Sequence, residues 1–547
     1  MLGFPTSSSS RNYARRRPYP CYAERGMVAA AHPYVVETGL AVLRQGGNAV
    51  DAAVAAGLAA AVVMPEMCGL GGELFAVLSV GAEPIAVQAS GKSARGASLD
   101  LMREIGGDHM PYTGAHSIAV PGMVDAYFKL LENYGTMTFA RVAEPAVQLA
   151  RNGFPLQPLG AEAIATHADL LARDEAAADI FLANGPTPSA GDRLVQTDLA
   201  ETLEQLGRQG AESFYQGDLA ERMTRYLQHA GGCLSVEDFA HFRTVIDAPY
   251  ATIYRGHTVY QTRLPSQGVI LLETLNIVEN AELGDLQSAD GIHTLVEAKK
   301  LAYADRLGHL ADPDFHQAPV EPLLSKEWAK QRFDRIDLSQ AATDVLYGEM
   351  HDGDTTYLCV IDSEGRMVSL IQSVSSSFGS GVVAGDTGVL MNNRVGRGFS
   401  LVEGHPNIYA PGKKTMHTLN CFLIADGSGR PVLVGGTPGG DGQPQWNLQL
   451  IAGMMDGGMD VQETIEQPRW TSWPGTDPSV IDNPFELRVE NRLPDDVIST
   501  LEKRGHAVRL QDAWGGGGAA QIIARNPDTG LLIGGTDARV EGSVLGL

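Results

Sequence analysis

Cysteine is scarce. Cys21, Cys68, Cys233, Cys359 and Cys421 are the only five in 547 residues, an odd number with no Cys-x-x-Cys spacing. That excludes a disulfide framework and a thiolate zinc site, and leaves the five as small hydrophobes for the interior. Basic charge is also short: 41 Lys and Arg stand against 65 Asp and Glu, for a formal charge of −24. Nucleic acid and an anionic membrane both demand a basic footprint, so neither is expected as a partner. The longest apolar run, Ala52 to Met64, is closed by Pro65-Glu66 and is too short to span a bilayer. None of the fourteen histidines falls in His-Glu-x-x-His, and no carboxylate cluster has calcium-loop spacing, so neither a metal nor any other cofactor is expected. Met1 to Tyr19 is rich in Ser, Arg and Pro without an apolar stretch. It reads as a disordered tail continuing to Gly26 rather than a secretory signal, which places the protein in the cytoplasm.

What is present is enough apolar residue, 44%, to bury a large core. Pro33 to Arg44 reads as a helix ending at Gly46-Gly47, and a second helix opens at Asn48 as N-cap with Asp51 three residues on. The second helix is Ala- and Val-rich on every side, which requires burial against a sheet. Strands are expected at Phe75 to Val80 and Ile85 to Gln88, and Thr138 to Gln331 is mostly helical apart from a strand pair in Tyr250 to Thr262. Beyond residue 355 strands recur at Tyr357 to Ile361, Met367 to Ile371, Gly388 to Met391, Leu419 to Ala425, Val432 to Gly435, Ala507 to Leu510, Ala520 to Ala524 and Leu531 to Gly534. Helices over Gln445 to Met455 and Val461 to Gln467 interrupt them. Strands with helices before and between suggest stacked sheets under helical layers.

One hairpin stands out. The segment from Asp334 to Asp354 weakens into turn residues, and the strand beginning at Thr356 is preceded by Asp354-Thr355. A mid-chain threonine hydroxyl is a poor nucleophile. At a chain start its own α-amine, with a pKa of about 8, can take the hydroxyl proton, so one residue supplies nucleophile and base. The hydroxyl of Thr355 attacking the Asp354 carbonyl, followed by acyl shift and hydrolysis, would create that terminus. An ordinary hairpin with a threonine at its mouth fits the same stretch.

Several glycine clusters bear on ligand binding. Gly435 to Gly442 follows a strand and precedes a helix, where backbone N–H groups can form an oxyanion hole; a tight strand-to-helix turn fits equally. Gly69-Leu70-Gly71-Gly72 follows a helix and precedes a strand, the reverse of a phosphate loop. Gly91-Lys92-Ser93 fails as a P-loop because Ala86 stands at the first glycine. Gly515 to Ala520 carries Gly-x-Gly-x-x-Ala but is followed by a strand with too little chain left for a dinucleotide unit. Ser375 to Gly381 lacks the Gly-x-Ser-x-Gly elbow of a serine hydrolase.

Taken together, Met27 to Pro33, Gly46 to Ala53, Gly69 to Gly72, Thr355-Thr356, Phe378-Gly379-Ser380-Gly381, Asn392-Asn393, Pro438-Gly439-Gly440 and Asp537-Ala538-Arg539 resemble the γ-glutamyltranspeptidase family of N-terminal nucleophile hydrolases, from Gly26 to the C-terminus. The resemblance implies a four-layer αββα sandwich cut between Asp354 and Thr355. A large subunit (27–354) would stay bound to a small subunit (355–547), and such heterodimers could associate into a homo-oligomer. By the same resemblance Thr355 is nucleophile and base, Ser373 replaces a threonine that contacts the nucleophile, and Gly439 and Gly440 match the oxyanion pair. Arg95 matches the arginine that grips the substrate carboxylate.

The departures concern specificity. Where transpeptidases hold an α-ammonium with Asn, Gln and Asp, this chain has Ser375, Arg394 and Arg397. Two guanidinium groups cannot cradle an ammonium. His417-Thr418 replaces the Ser-Ser pair that contacts the α-carboxylate, and the lid segment, Leu401 to Pro411, is shortened. These changes suggest a small anionic amide substrate, as in the family's oxamate-type amidohydrolases. Arg394 or Arg397 on the rim, paired with a carboxylate, is the plainer reading. A γ-glutamyltransferase or glutathione hydrolase, and an unprocessed non-catalytic homologue, are the alternative functions.

Overall fold

The computed structural model describes residues 19–182, 185, 187–343, 355–476 and 484–547. Two seven-stranded antiparallel sheets form its centre. The first runs β19 (Ser543–Gly546), β2 (Gly26–Ala30), β10 (Thr356–Asp362), β11 (Met367–Ser373), β3 (Glu73–Ser79), β4 (Ile85–Ala89), β7 (Val245–Asp247). The second runs β1 (Cys21–Ala23), β18 (Leu532–Thr536), β17 (Gln521–Arg525), β13 (Pro431–Gly436), β12 (Phe422–Ala425), β9 (His257–Gln261), β8 (Tyr250–Tyr254). A third sheet of three strands orders β14 (Trp470–Trp473), β15 (Glu486–Glu490) and β16 (Val508–Gln511), and β5 (Phe154–Pro155) pairs with β6 (Arg193–Leu194).

The period of two along β10 explains the layering. Tyr357, Cys359 and Ile361 join Phe75, Val77, Cys421, Leu423, Val434 and Ile523 in a core between the two large sheets. Leu358 and Val360 point the other way, into a core shared with the Pro33–Arg44 and Ala49–Val63 helices. On the far face of the second sheet, Phe422, Ile424 and Ile522 pack against the Gly268–Val278, Ala289–His309 and Gly442–Met455 helices. The result is the αββα sandwich that the sequence resemblance implied.

All fifteen residues of Ala49–Val63 are buried, as its uniform apolarity required. Its start is fixed by a capping box. Asn48 Oδ1 accepts from the Val50 and Asp51 amides at 2.8 and 3.0 Å, and Asp51 Oδ2 accepts from the Asn48 amide at 2.9 Å.

Several expectations change. Cys21–Ala23, assigned to a disordered tail reaching Gly26, is an edge strand against β18, and the Glu24 and Arg25 amides donate to Leu547 O at 3.1 and 3.0 Å. Backbone pairing orders this segment without any apolar pattern to announce it; residues 1–18 lie outside the described residues. β2, buried along its whole length and paired to β10, was likewise not legible, because Met-Val-Ala-Ala has no alternation. Gly388 to Met391 makes only isolated bridges. Cys68, Cys359 and Cys421 are buried, whereas Cys21 and Cys233 are half-exposed. Among the described residues no helix is long and apolar enough to cross a membrane.

Candidate active site

The alternation that builds the inter-sheet core also aims the candidate residues. In β11, Ser373 has the same parity as Met367 and Ile371; in β3, Glu73 has the parity of Phe75 and Val77. Ser373 pairs directly with Glu73, and Thr356 pairs with Gln372, so Thr355 reaches the level of Ser373. Three adjacent strands therefore bring Thr355, Ser373 and Glu73 to one end of the gap between the sheets.

Thr355 is 2% exposed, and its Oγ1 donates to Ser373 Oγ at 3.3 Å. Ser373 Oγ in turn accepts the Ser375 amide at 2.7 Å. The chain turns sharply here: Ser375 has φ of 91°, a left-handed conformation costly for a side-chain-bearing residue. It is held by Arg397 Nη1, which donates to Ser375 O at 2.9 Å, and by Asn393 Oδ1, which accepts the Ser376 amide at 3.0 Å.

Behind Ser373 lies a buried charged cluster. Arg394 Nε donates to Glu73 Oε2 at 2.7 Å, His417 Nε2 donates to the same oxygen at 2.5 Å, and the Gly91 amide donates to Glu73 Oε1 at 3.1 Å. The tautomer follows from the surroundings, since His417 Nδ1 accepts the Leu419 amide at 3.2 Å and the proton sits on Nε2. Burial, reinforced by the Arg394 charge, pulls His417 down to about 4, leaving a neutral imidazole. Burial would push the Glu73 carboxyl up, but His417 and Arg394 outweigh it and hold it below the usual carboxylate range. Arg394 and Arg397 are 1% and 6% exposed, so neither is a rim arginine. The plainer reading was right about a carboxylate partner for Arg394 and wrong about its place.

Three side-chain atoms at this end are buried and make no hydrogen bond among the described residues: Ser375 Oγ, Arg394 Nη2 and Thr418 Oγ1. Buried polar atoms left unpaired cost about 1–3 kcal/mol each, so a cluster of them marks a place built for a ligand.

Gly439 and Gly440 follow β13 with φ of 121° and 53°, a path that suits glycine. A Cβ on Gly439 would stand 2.1 Å from the Trp446 ring. The loop enters the Gly442–Met455 helix, whose N-terminal amides carry partial positive charge. Gln267 Nε2 donates to both Thr418 O, at 2.6 Å, and Gly440 O, at 3.0 Å, fixing the loop to the segment that carries His417. Arg306 pairs with Asp441 at 2.6 Å and adds a second tie. Gly439 and Thr355 line one cavity of about 310 Å³.

Arg95 is not brought to this place. It is exposed and lines a separate cavity of about 220 Å³ with Ser90, Lys92, Asp238, Arg243 and Lys414. Asp354 lies outside the described residues. The segment expected as a shortened lid is tied at its base, with the Ser400 amide donating to Asn407 O at 3.1 Å. Sequence reading missed Glu73 and Gln267. The signal for Glu73 was charge: a carboxylate directly before an apolar strand, in a chain with two unexplained arginines. Elsewhere, His293, Glu297 and His506 bring ligand-type atoms within 4.8 Å of one another. Their bonding is already met inside the protein, because His293 and His506 bond each other at 2.8 Å and Glu297 takes Lys300 and the Ala342 amide at 2.7 and 3.1 Å.

A threonine at the head of a central strand of an αββα sandwich, sharing a cavity with the glycine loop after a strand of the other sheet, is the layout of an N-terminal nucleophile hydrolase. The family model for gamma-glutamyltranspeptidase matches residues 36–547. The glutathione hydrolase-like YwrD proenzyme of Bacillus subtilis is 40% identical over 95% of this chain and 98% of its own. The oxamate amidohydrolase proenzyme of Klebsiella pneumoniae is 35% identical over 95% and 98%. Among solved structures, cephalosporin acylase from Bacillus halodurans superposes with a TM-score of 0.92 at 33% identity, covering 100% of this chain and 99% of the other. The chain belongs to the γ-glutamyltranspeptidase family, as an amidohydrolase.

Proposed function

We propose that this protein is an autoprocessing threonine hydrolase that cleaves the amide bond of a small anionic acyl group of the oxamate kind. Cleavage between Asp354 and Thr355 yields the two subunits 27–354 and 355–547 and frees the Thr355 α-amine. That amine takes the hydroxyl proton as Oγ1 attacks the substrate carbonyl. Ser373 holds the hydroxyl, and the Gly439 and Gly440 amides receive the oxyanion. The amine product leaves with the proton, and water then hydrolyses the ester.

The observation that carries the acyl assignment is the trio of buried, unpaired atoms, Ser375 Oγ, Arg394 Nη2 and Thr418 Oγ1, on the Ser373 side of the nucleophile. A guanidinium N–H and two hydroxyls can all donate to a carboxylate, and the guanidinium charge disfavours an ammonium. The Glu73–Arg394–His417 cluster fills the space behind them, which favours a compact acyl group. Arg397, already donating to Ser375 O, shapes that wall, whereas Arg95 lines the other cavity.

The second reading, a glutathione hydrolase or γ-glutamyltransferase, is favoured by the name of the 40% identical relative. Ammonia release from oxamate set against p-nitroaniline release from γ-glutamyl-p-nitroanilide separates the two; turnover of the γ-glutamyl compound alone would overturn the acyl assignment. Denaturing electrophoresis tests processing, with fragments of about 38 and 20 kDa expected from chain length. A persistently intact band would favour the non-catalytic homologue.

A further inference from the structure

Thr355 borders the 310 Å³ cavity, and the residues that carry the unpaired atoms do not. Ser375, Arg394, His417 and Thr418 are absent from its walls, which are Thr355, Gly439, Trp446, Thr471, Arg488 and Gln511, with the glycine loop 515–518. An acyl group held by Arg394 directs its leaving amine away from itself, and this cavity is a space beside Thr355 that Arg394 does not line. Ammonia needs no such volume, since a water-sized molecule occupies about 30 Å³.

The small third sheet supplies the polar wall. Thr471 pairs with Arg488, and Glu490, two residues on, pairs with Gln511, so Thr471, Arg488 and Gln511 share one face. Thr471 Oγ1 accepts Trp446 Nε1–H at 3.0 Å and fixes the indole as a flat boundary. Arg488 stacks on Trp473 at 4.5 Å and gives Glu486 its Nε at 3.0 Å, a contact that leaves both Nη groups for a planar anion. Gln511 Oε1 is buried with no partner among the described residues, an acceptor in want of a donor. A guanidinium fork beside an orphan carbonyl fits an amine that carries both a carboxylate and an N–H.

We propose that this cavity is the leaving-group subsite and that the amine it takes is an amino acid or similar carboxylate-bearing amine, so that the preferred substrates are N-substituted oxamates of the N-oxalyl amino acid class. This rests on the acyl assignment above. The C–N bond breaks as the Thr355 ester forms, the nucleophile's proton passes through the α-amine to the leaving nitrogen, and water releases oxalate.

The test compares kcat/KM of the processed wild-type enzyme on oxamate, N-oxalylglycine and N-oxalylglycinamide, reading ammonia, glycine and glycinamide. N-oxalylglycine should exceed both others at least tenfold, mainly through KM. Arg488→Ala should lower the ratio of N-oxalylglycine to oxamate turnover at least tenfold. Oxamate cleaved as well as or better than N-oxalylglycine would sink the subsite and leave the acyl assignment standing. Cleavage of none of the three alongside turnover of γ-glutamyl-p-nitroanilide would sink both. Equal rates on the charged and neutral glycine derivatives would remove the role given to Arg488 without any variant having to fold.

Discussion

Thr355 carries two duties, and a single substitution tests both. Thr355→Ala should leave the chain uncut on a denaturing gel and abolish amide turnover, while amino-terminal sequencing of the wild-type small fragment should begin Thr-Thr-Tyr-Leu. Arg394 separates a binding role from a structural one. Arg394→Met alone strands the fully buried Glu73 carboxylate, a loss of about 3–5 kcal/mol that urea denaturation should register. Adding Glu73→Gln should restore most of that stability but not activity, because the Nη2 donor for the substrate carboxylate is still gone. Recovery of activity together with stability would show that Arg394 serves packing only. The basic character of positions 394 and 397 was plain in the sequence. Their burial was not, since Arg394 pairs with Glu73 lying 321 residues away and Arg397 with the Ser375 carbonyl.

At the level of elements, local sequence rules worked where one segment contains its own explanation. The Asn48–Asp51 box is such a case, and Asn48 Nδ2 also donates to Tyr134 O at 2.7 Å. Asn48→Ala should therefore cost about 0.5–2 kcal/mol, seen as a lowered denaturant midpoint with unchanged slope. The β13-to-helix turn is the other case. Gly439→Ala would drive a methyl into the Trp446 ring at a φ of 121°, and at least a hundredfold loss of kcat is expected from a displaced oxyanion donor. Local rules failed for β1 and β2, which are ordered by pairing rather than by pattern, and for β14 and β15, which sit in the small sheet that walls the cavity.

For the whole molecule, buried titratable groups set a stability optimum near neutrality. Burial lowers His32 and His417 to about 4 and His506 to about 3. Each binds its proton in the unfolded chain first as pH falls below about 6.5, so folding stability declines from there toward pH 4. Burial raises Glu273 to about 8, only partly offset by the Trp328 indole N–H that donates to it at 3.0 Å. The folded state keeps that proton while the unfolded state loses it, so this contribution falls as pH rises from the unfolded value of about 4.5 to 8. Three histidines outweigh one glutamate on the acid side, and Glu273 acts alone among these four above pH 6.5. Urea midpoints should peak between pH 6 and 7, and Glu273→Gln should flatten the decline between pH 6.5 and 8 while leaving the acid limb in place.

The sequence by itself determined stacked sheets under helical layers and the short list of chemical groups, because strand alternation, capping residues and glycine clusters are local properties written in consecutive residues, and its motifs carried the family resemblance that implied the αββα order. It did not determine that Arg394 and Arg397 are buried, that Arg95 lines a different cavity, or that Thr355 borders a cavity that the residues with unpaired atoms do not line. Those facts arise when strands distant in the chain, β3, β11, β13 and β15, are set beside one another, and burial and charge pairing are properties of that juxtaposition rather than of any segment.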